Sequence, residues 1–173
     1  MFLTADAAAF FAVWQGLRTD AEFPHYRSVF QQFPSHLIPR LMVLEEGSPG
    51  QFIVRFVGTE RALVWDEEIT GKDIIALLIR NVGQAAARNL RTMIDHPCGM
   101  SHIARFVTSL GTEAKMENIT LPVNNDAGLP RRLINFSQET EVMLGKVIGK
   151  VVAVTDRAWI DVGFGVPAKP PKK

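Results

Sequence analysis

Cysteine is all but absent: Cys98 stands alone in 173 residues. No disulfide can close within the chain, and that usage fits a reducing compartment. Tyrosine is as scarce, with Tyr26 the single example. Charge of one sign is missing too, since 19 Lys and Arg against 18 Asp and Glu leave a formal net charge of +1. A protein that holds nucleic acid electrostatically carries a clear basic surplus instead. No apolar run reaches the roughly 18 residues that a membrane helix needs. Residues 7–13 are apolar, but no basic region precedes them and the chain turns polar at Gln15, unlike a signal peptide. These absences predict a cytoplasmic protein that binds neither nucleic acid nor membrane.

What is present is ordinary for a single globular domain: 47% hydrophobic and 21% charged residues. Thr4 suits a helix cap, with Asp6 in the first turn. Ala7, Phe10, Phe11, Trp14 and Leu17 follow the spacing of one apolar helix face. Residues 19–35, with Pro24 and Pro34, read as an irregular connection. Residues 37–44 read as a first strand, with Pro39 drawing it towards an edge or a strand start. The turn-forming segment 45–50 leads into Phe52–Val57, whose two alternate sets are both mostly apolar, so both faces of that strand want cover.

Gly58 breaks the run, and residues 60–65 have room for about one helical turn. The longest helical pattern spans residues 72–95, with Ile75, Leu78, Ile79, Val82, Ala86, Leu90 and Met93 on its buried side. Strands are predicted at 101–108, 113–123 and 131–138, the last two joined by a hairpin turn through Asn124 and Gly128. Residues 147–154 are β-like and either extend the sheet or cross its back. The Gly-, Pro- and Lys-rich tail from 168 to 173 is predicted to be disordered. A run of strands with segregated helices points to an α+β fold.

Several side chains invite chemistry. His96, Cys98 and His102 lie close together, but their spacing matches no strong zinc pattern. A helix end followed by a strand accounts for the segment, and no metal site is predicted. Nothing marks one of the four histidines as a haem ligand, so no cofactor is named. Asp66, Glu67 and Glu68 read as a solvated acidic face, because catalytic acids need distinct environments that separate their pKa values. There is no nucleophile elbow and no phosphate loop. Arg55, alone in an apolar strand, needs an acid or a ligand oxygen, because a buried unpaired guanidinium is costly. An internal ion pair is the plainer reading, and recognition of an anionic or polar ligand group the sharper one.

The order of motifs carries a resemblance. Arg55 in a strand runs into Gly58-Thr59, and Thr70-Gly71 follows about a dozen residues later. Upstream stand Trp14 to Arg18, Pro24 and Arg27. Downstream come Leu121-Pro122-Val123, Asp126 to Gly128, and Trp159 to Gly163 ahead of Gly165-Val166-Pro167. In that order they resemble a family of short bacterial PAS-fold proteins. The chain departs from it at Asp66, where relatives usually have glycine, and at Ser28-Val29-Phe30, where they tend to carry Asp-Pro. The resemblance implies a PAS-like five-stranded antiparallel sheet with helices on one side and an extra N-terminal helix. The organisation is then 1–36 for the helix and connection, 37–163 for the core and 164–173 for the tail.

It further implies a sensory or regulatory domain acting in signal transduction, by small-ligand binding or protein contacts, with no catalytic output in the chain. The expected ligand region comprises Arg55, Val57, Thr59, Trp65, Ile75, Leu78, Met116 and Asn118. Relatives often pair through a segment ahead of the core, so Phe10, Phe11 and Trp14 are the candidate dimer-helix residues of a homodimer, with a signalling partner protein receiving the output. The alternative is an enzyme on a cone-shaped fold of the ketosteroid-isomerase kind. That chemistry needs a general base and an oxyanion hole, with an inward-facing acid such as Glu117, and Tyr26 lies outside the predicted strands.

Overall fold

In the computed structural model, residues 2–19, 22–65, 67–108, 111–127, 129, 131–140 and 149–172 are described. Asp66, Gly128 and residues 147–148, on which expectations above fall, lie outside them.

Helix α1 (Ala5–Gly16) starts at Thr4, whose side chain accepts from the Ala7 amide. The helix is apolar on most sides, and packing selects the inner face: Ala7, Phe10 and Trp14 are fully buried. Helix α2 (Tyr26–Gln32) follows, and then a 3-10 turn, Ile38–Arg40. Strand β1 (Leu41–Glu46) therefore begins later than residue 37. Proline has a fixed φ and no amide, which suits the first turn of a helix better than a ladder. Strand β2 (Phe52–Val57) completes a hairpin with β1, irregular in register between Val43 and Leu44.

Three helices come next: α3 (Thr59–Leu63), α4 (Ile74–Leu77) and α5 (Arg80–Asp95). The single helix expected over 72–95 is thus two, separated by extended backbone at Leu78 and Ile79 (ψ 153° and 148°). The break lets α5 return tightly over α4, where a Cβ on Gly83 would lie 2.9 Å from the Ile75 carbonyl oxygen.

Strands β3 (Gly99–Thr108), β4 (Glu113–Val123), β5 (Arg132–Glu139) and β6 (Gly149–Ile160) finish the sheet. Among the described residues it has six antiparallel strands, in the order β2-β1-β5-β4-β3-β6. The expected five become six because β6 pairs along β3, from Gly99↔Ile160 to Thr108↔Gly149. The tail also differs from its expected disorder. Asn89 of α5 donates to the Lys172 carbonyl (3.0 Å) and accepts from its amide (2.7 Å), and Pro171 is buried.

Period-two alternation gives the sheet two covered faces. On one, Leu41, Val43, Ile119, Leu121, Ile134 and Phe136 pack against Phe10, Trp14 and Val29 of α1 and α2. On the other, Met42, Leu44, Met100 and Leu133 meet Ile74, Leu90 and Met93, while Ala104, Phe106 and Met116 meet Val64 and Val82. Helices α3 to α5 thus share one side, and α1 with α2 takes the opposite one.

Candidate functional site

The junction after β2 sets the site. A Cβ on Gly58 would sit 2.4 Å from the carbonyl oxygens of both Ile38 and Pro39, so only glycine lets these backbones meet. The Gly58 amide donates to the Leu41 carbonyl (2.8 Å), which launches α3 off the sheet edge. Neighbouring side chains of α3 then part. Glu60 is exposed and accepts from Arg40 (2.8 Å), which also reaches Asp6 of α1 (2.6 Å). Arg61 turns inward and is only 7% exposed.

The chain comes back at Gly71, whose φ of +83° belongs to the left-handed region that glycine enters freely. Its amide donates to the Val54 carbonyl (2.7 Å), and the Val54 amide donates to the Lys72 carbonyl (2.9 Å), covering part of the β2 edge. Asp73 caps α4 through the Ile75 amide and also accepts from the Phe52 amide, both at 3.0 Å.

Between this wall and the sheet lies a cavity of about 100 Å³. Its helical side includes Arg61, Trp65, Ile75, Leu78, Val82 and Leu90, and its floor includes Met100, His102, Phe106, Asn118, Thr120 and Asn135. The floor amides are satisfied within the protein. Asn118 donates to the Met116 carbonyl (3.0 Å) and accepts from the Ser137 hydroxyl (2.9 Å), while Asn135 donates to Thr120 Oγ1 (3.1 Å).

The groups nearer α3 are not satisfied. Arg61 Nε and Nη1, Trp65 Nε1 and His102 Nδ1 are enclosed and have no hydrogen-bond partner among the described residues. Burial, with the charges of Arg157 and Arg61 behind it, pushes His102 down to about 3. Burial alone lowers Arg61 to about 10. At neutral pH the lining, among the described residues, therefore holds one cation, Arg61, beside a neutral imidazole. No carboxylate lines the cavity among the described residues.

Of the residues expected to line a ligand region, Trp65, Ile75, Leu78 and Asn118 meet at this cavity. Met116 is buried in the adjoining cluster, and half-buried Val57 is packed against the cluster that holds Met42 and Val54. Thr59 is exposed at the first position of α3. Arg55 lies on the opposite face of the sheet with Tyr26 and Phe30, paired with Glu45 (2.7 Å), which Arg132 also holds (2.7 Å). Arg61 and His102 are the site residues that sequence reading missed. Residues 60–65 read as about one helical turn without showing which side chain turns inward, and the spacing around His102 reads only against metal-ligand patterns. Cys98 is fully buried, its thiol raised to about 11 by burial and then by the charge of Asp161.

Glu117, the acid that the isomerase-like alternative requires, faces away from the cavity. Its carboxylate accepts from the amides of Leu3 (2.7 Å) and Thr4 (2.9 Å) and from the Thr4 hydroxyl (2.9 Å). Of the three candidate dimer residues, Phe10 and Trp14 are fully buried in the chain's own core, and Phe11 is half-buried.

A model of the PAS domain family matches residues 3–136. The chain belongs to that family, and it is a sensory or signalling domain in the general sense that the family defines. The match takes in both helical layers and ends inside β5, ahead of β6. No curated protein matches the chain. Among the described residues, no helix is long and apolar enough to cross a membrane.

Proposed function

We propose that this PAS domain senses a small molecule held between its sheet and α3 to α5, and that occupancy is passed to α1. The observation that carries the reading is that three residues lining one cavity, Arg61, Trp65 and His102, hold four enclosed nitrogen atoms with no hydrogen-bond partner among the described residues. Each unmade hydrogen bond of this kind costs about 1–3 kcal/mol, and more for a charged group. A bound molecule that supplies the missing acceptors removes that cost.

The path outward is short. Arg61 touches the cavity while Glu60, its neighbour in α3, is tied through Arg40 to Asp6 of α1. A shift of α3 on binding changes that three-way ion pair and so biases α1. Coupling of this kind needs both sites to act on one two-state element, and here that element is the seating of α1 on the sheet. The signal leaves by contact with another protein in a reducing, cytoplasmic setting. A second copy is the first partner to test, since Ala5, Ala8 and Ala12 of α1 are exposed beside half-buried Phe11. In this reading the ligand is bound and released unchanged.

Native mass spectrometry on freshly purified protein, with an absorption spectrum, tests the sensor. A retained small molecule supports it, and hydrogen exchange in α1 should slow when the molecule is present. A bare mass, together with no stabilisation by any class of small molecule, overturns it in favour of a protein-interaction module with a filled core. Light scattering gives the oligomeric state in the same preparation.

A further inference from the structure

Resting on the sensor reading above, we infer that the molecule this cavity takes is a compact monocarboxylate with a short apolar body. Charge decides the head group. Arg61 is the one cation lining the cavity among the described residues, and neither a carboxylate nor a hydrogen-bond acceptor meets its Nε or Nη1. His102 is neutral near pH 7 and adds no second charge. One uncompensated positive charge in the lining matches one negative charge, whereas a phosphate dianion or a dicarboxylate brings a second charge that, among the described residues, only Arg157, outside the lining, stands near.

The donor inventory agrees. Arg61 and the Trp65 indole both present N–H groups that want acceptors. A carboxylate offers two oxygens with about four lone-pair positions, enough for both residues and for His102 Nδ1–H in that tautomer. An amide or alcohol of the same shape satisfies some of the donors and leaves the guanidinium uncompensated in a poorly hydrated space.

Size and lining decide the body. Leu78, Val82, Phe106 and Val154 supply apolar walls. The free volume of about 100 Å³ is below the roughly 150 Å³ of a cavity that accepts benzene. Benzene has six non-hydrogen atoms, so the occupant is bounded at about six, a carboxylate of about four carbons or fewer.

The test uses the full chain, stripped of bound molecules and kept in chloride-free buffer. Thermal unfolding and calorimetry are run with acetate, propionate, butyrate, valerate and hexanoate, with butyramide and 1-butanol as neutral matches, and with inorganic phosphate. Butyrate is expected to raise the melting temperature and to bind at least tenfold tighter than butyramide, with affinity falling beyond about four carbons. Arg61→Met should lose at least tenfold in butyrate affinity while its ligand-free melting temperature stays level or rises. Trp65→Phe, which keeps the ring and removes the N–H, should weaken butyrate several-fold.

Equal binding of butyramide and butyrate, or of phosphate and butyrate, overturns the carboxylate assignment and leaves the sensor reading standing. So does a drop in the ligand-free stability of Arg61→Met, which makes that arginine structural; if the variant does not fold, Trp65→Phe and the amide comparison decide. No binding by any of these probes, with no retained molecule of any class, brings down both readings.

Discussion

One sheet carries two unlike faces, and residues one position apart in β4 show the contrast. Glu117 points to α1 and is fully engaged, accepting three hydrogen bonds from Leu3 and Thr4. Asn118 points the other way and lines the cavity. On the α1 face the aromatic rings are close packed: Phe10 lies 5.3 Å from Phe33 and 5.2 Å from Phe136, centroid to centroid, and the Trp14 indole donates to the Pro122 carbonyl (2.9 Å). On the α3 to α5 face, space is left and a guanidinium, an indole and an imidazole lack partners. Under the proposed function, the difference divides stability and recognition between the faces. The packed centre around Phe10 and Trp14 holds the fold together, with a groove of about 320 Å³ beside it at Tyr26, Phe30, Arg55 and Arg132, while three residues lining the cavity on the other side tolerate unmade bonds.

The largest test of that division is a pair of truncations. Trp14→Ala should cost about 3–5 kcal/mol, the usual range for removing a fully buried aromatic side chain. Leu78→Ala, beside free volume and only half-buried, should cost about 2 kcal/mol or less, at or below the low end of such truncations. Chemical denaturation of both variants measures the gap, and equal losses would break the comparison. Next in size, Glu117→Gln keeps the shape but replaces the charge and one acceptor oxygen at the start of α1. It should cost about 2 kcal/mol, in the range for hydrogen bonds to a charged group, without changing what the cavity binds.

Much of this was legible in the chain, and the failures have physical causes. Strand β4 was readable because period-two alternation survives even when both faces are buried, and its bounds fell where expected. The break between α4 and α5 was not, because residues 74–79 are apolar all round apart from a small alanine, and such a run has no polar face to lose its phase. Half of β6 was visible as a β-like segment, but pairing with β3 depends on partners far apart in the chain. Arg55 announced its need for an acid, and Glu45 supplies it. Arg61 could not be found this way. A charged residue in a short polar turn looks solvated, and only the close backbone approach at Gly58 directs it inward. Thus Trp65, Ile75, Leu78 and Asn118, named together from the chain, line one cavity, and the charge in its lining was not readable.

Acidification probes the sparse face more gently. His102 falls from 6.5 to about 3 in the folded protein, so between those values the unfolded chain binds the proton and the folded one does not. Stability then rises with pH over that window and is lost as pH drops below about 6.5, by about 1.4 kcal/mol per unit from this group near the middle. Denaturation of wild type and His102→Leu at pH 7, 6 and 5 should show the variant with the shallower slope. Equal slopes would mean that His102 is hydrated and that the cavity is wetter than its lining suggests.

The smallest effect falls on the arginine that the sequence favoured. Glu45 is buried and is held by two cations, Arg132 at 14% and Arg55 at 45% side-chain exposure, each 2.7 Å away. Removing the outer partner leaves the inner one in place, so the carboxylate stays compensated. An exposed ion pair is worth about 1 kcal/mol or less, and Arg55→Ala should cost no more than that. It should also leave butyrate binding unchanged, because Arg55 stands on the far face of the sheet from Arg61. A loss of binding in Arg55→Ala would mean that the two faces are coupled through β2, and the division of labour between them would fail at the strand they share.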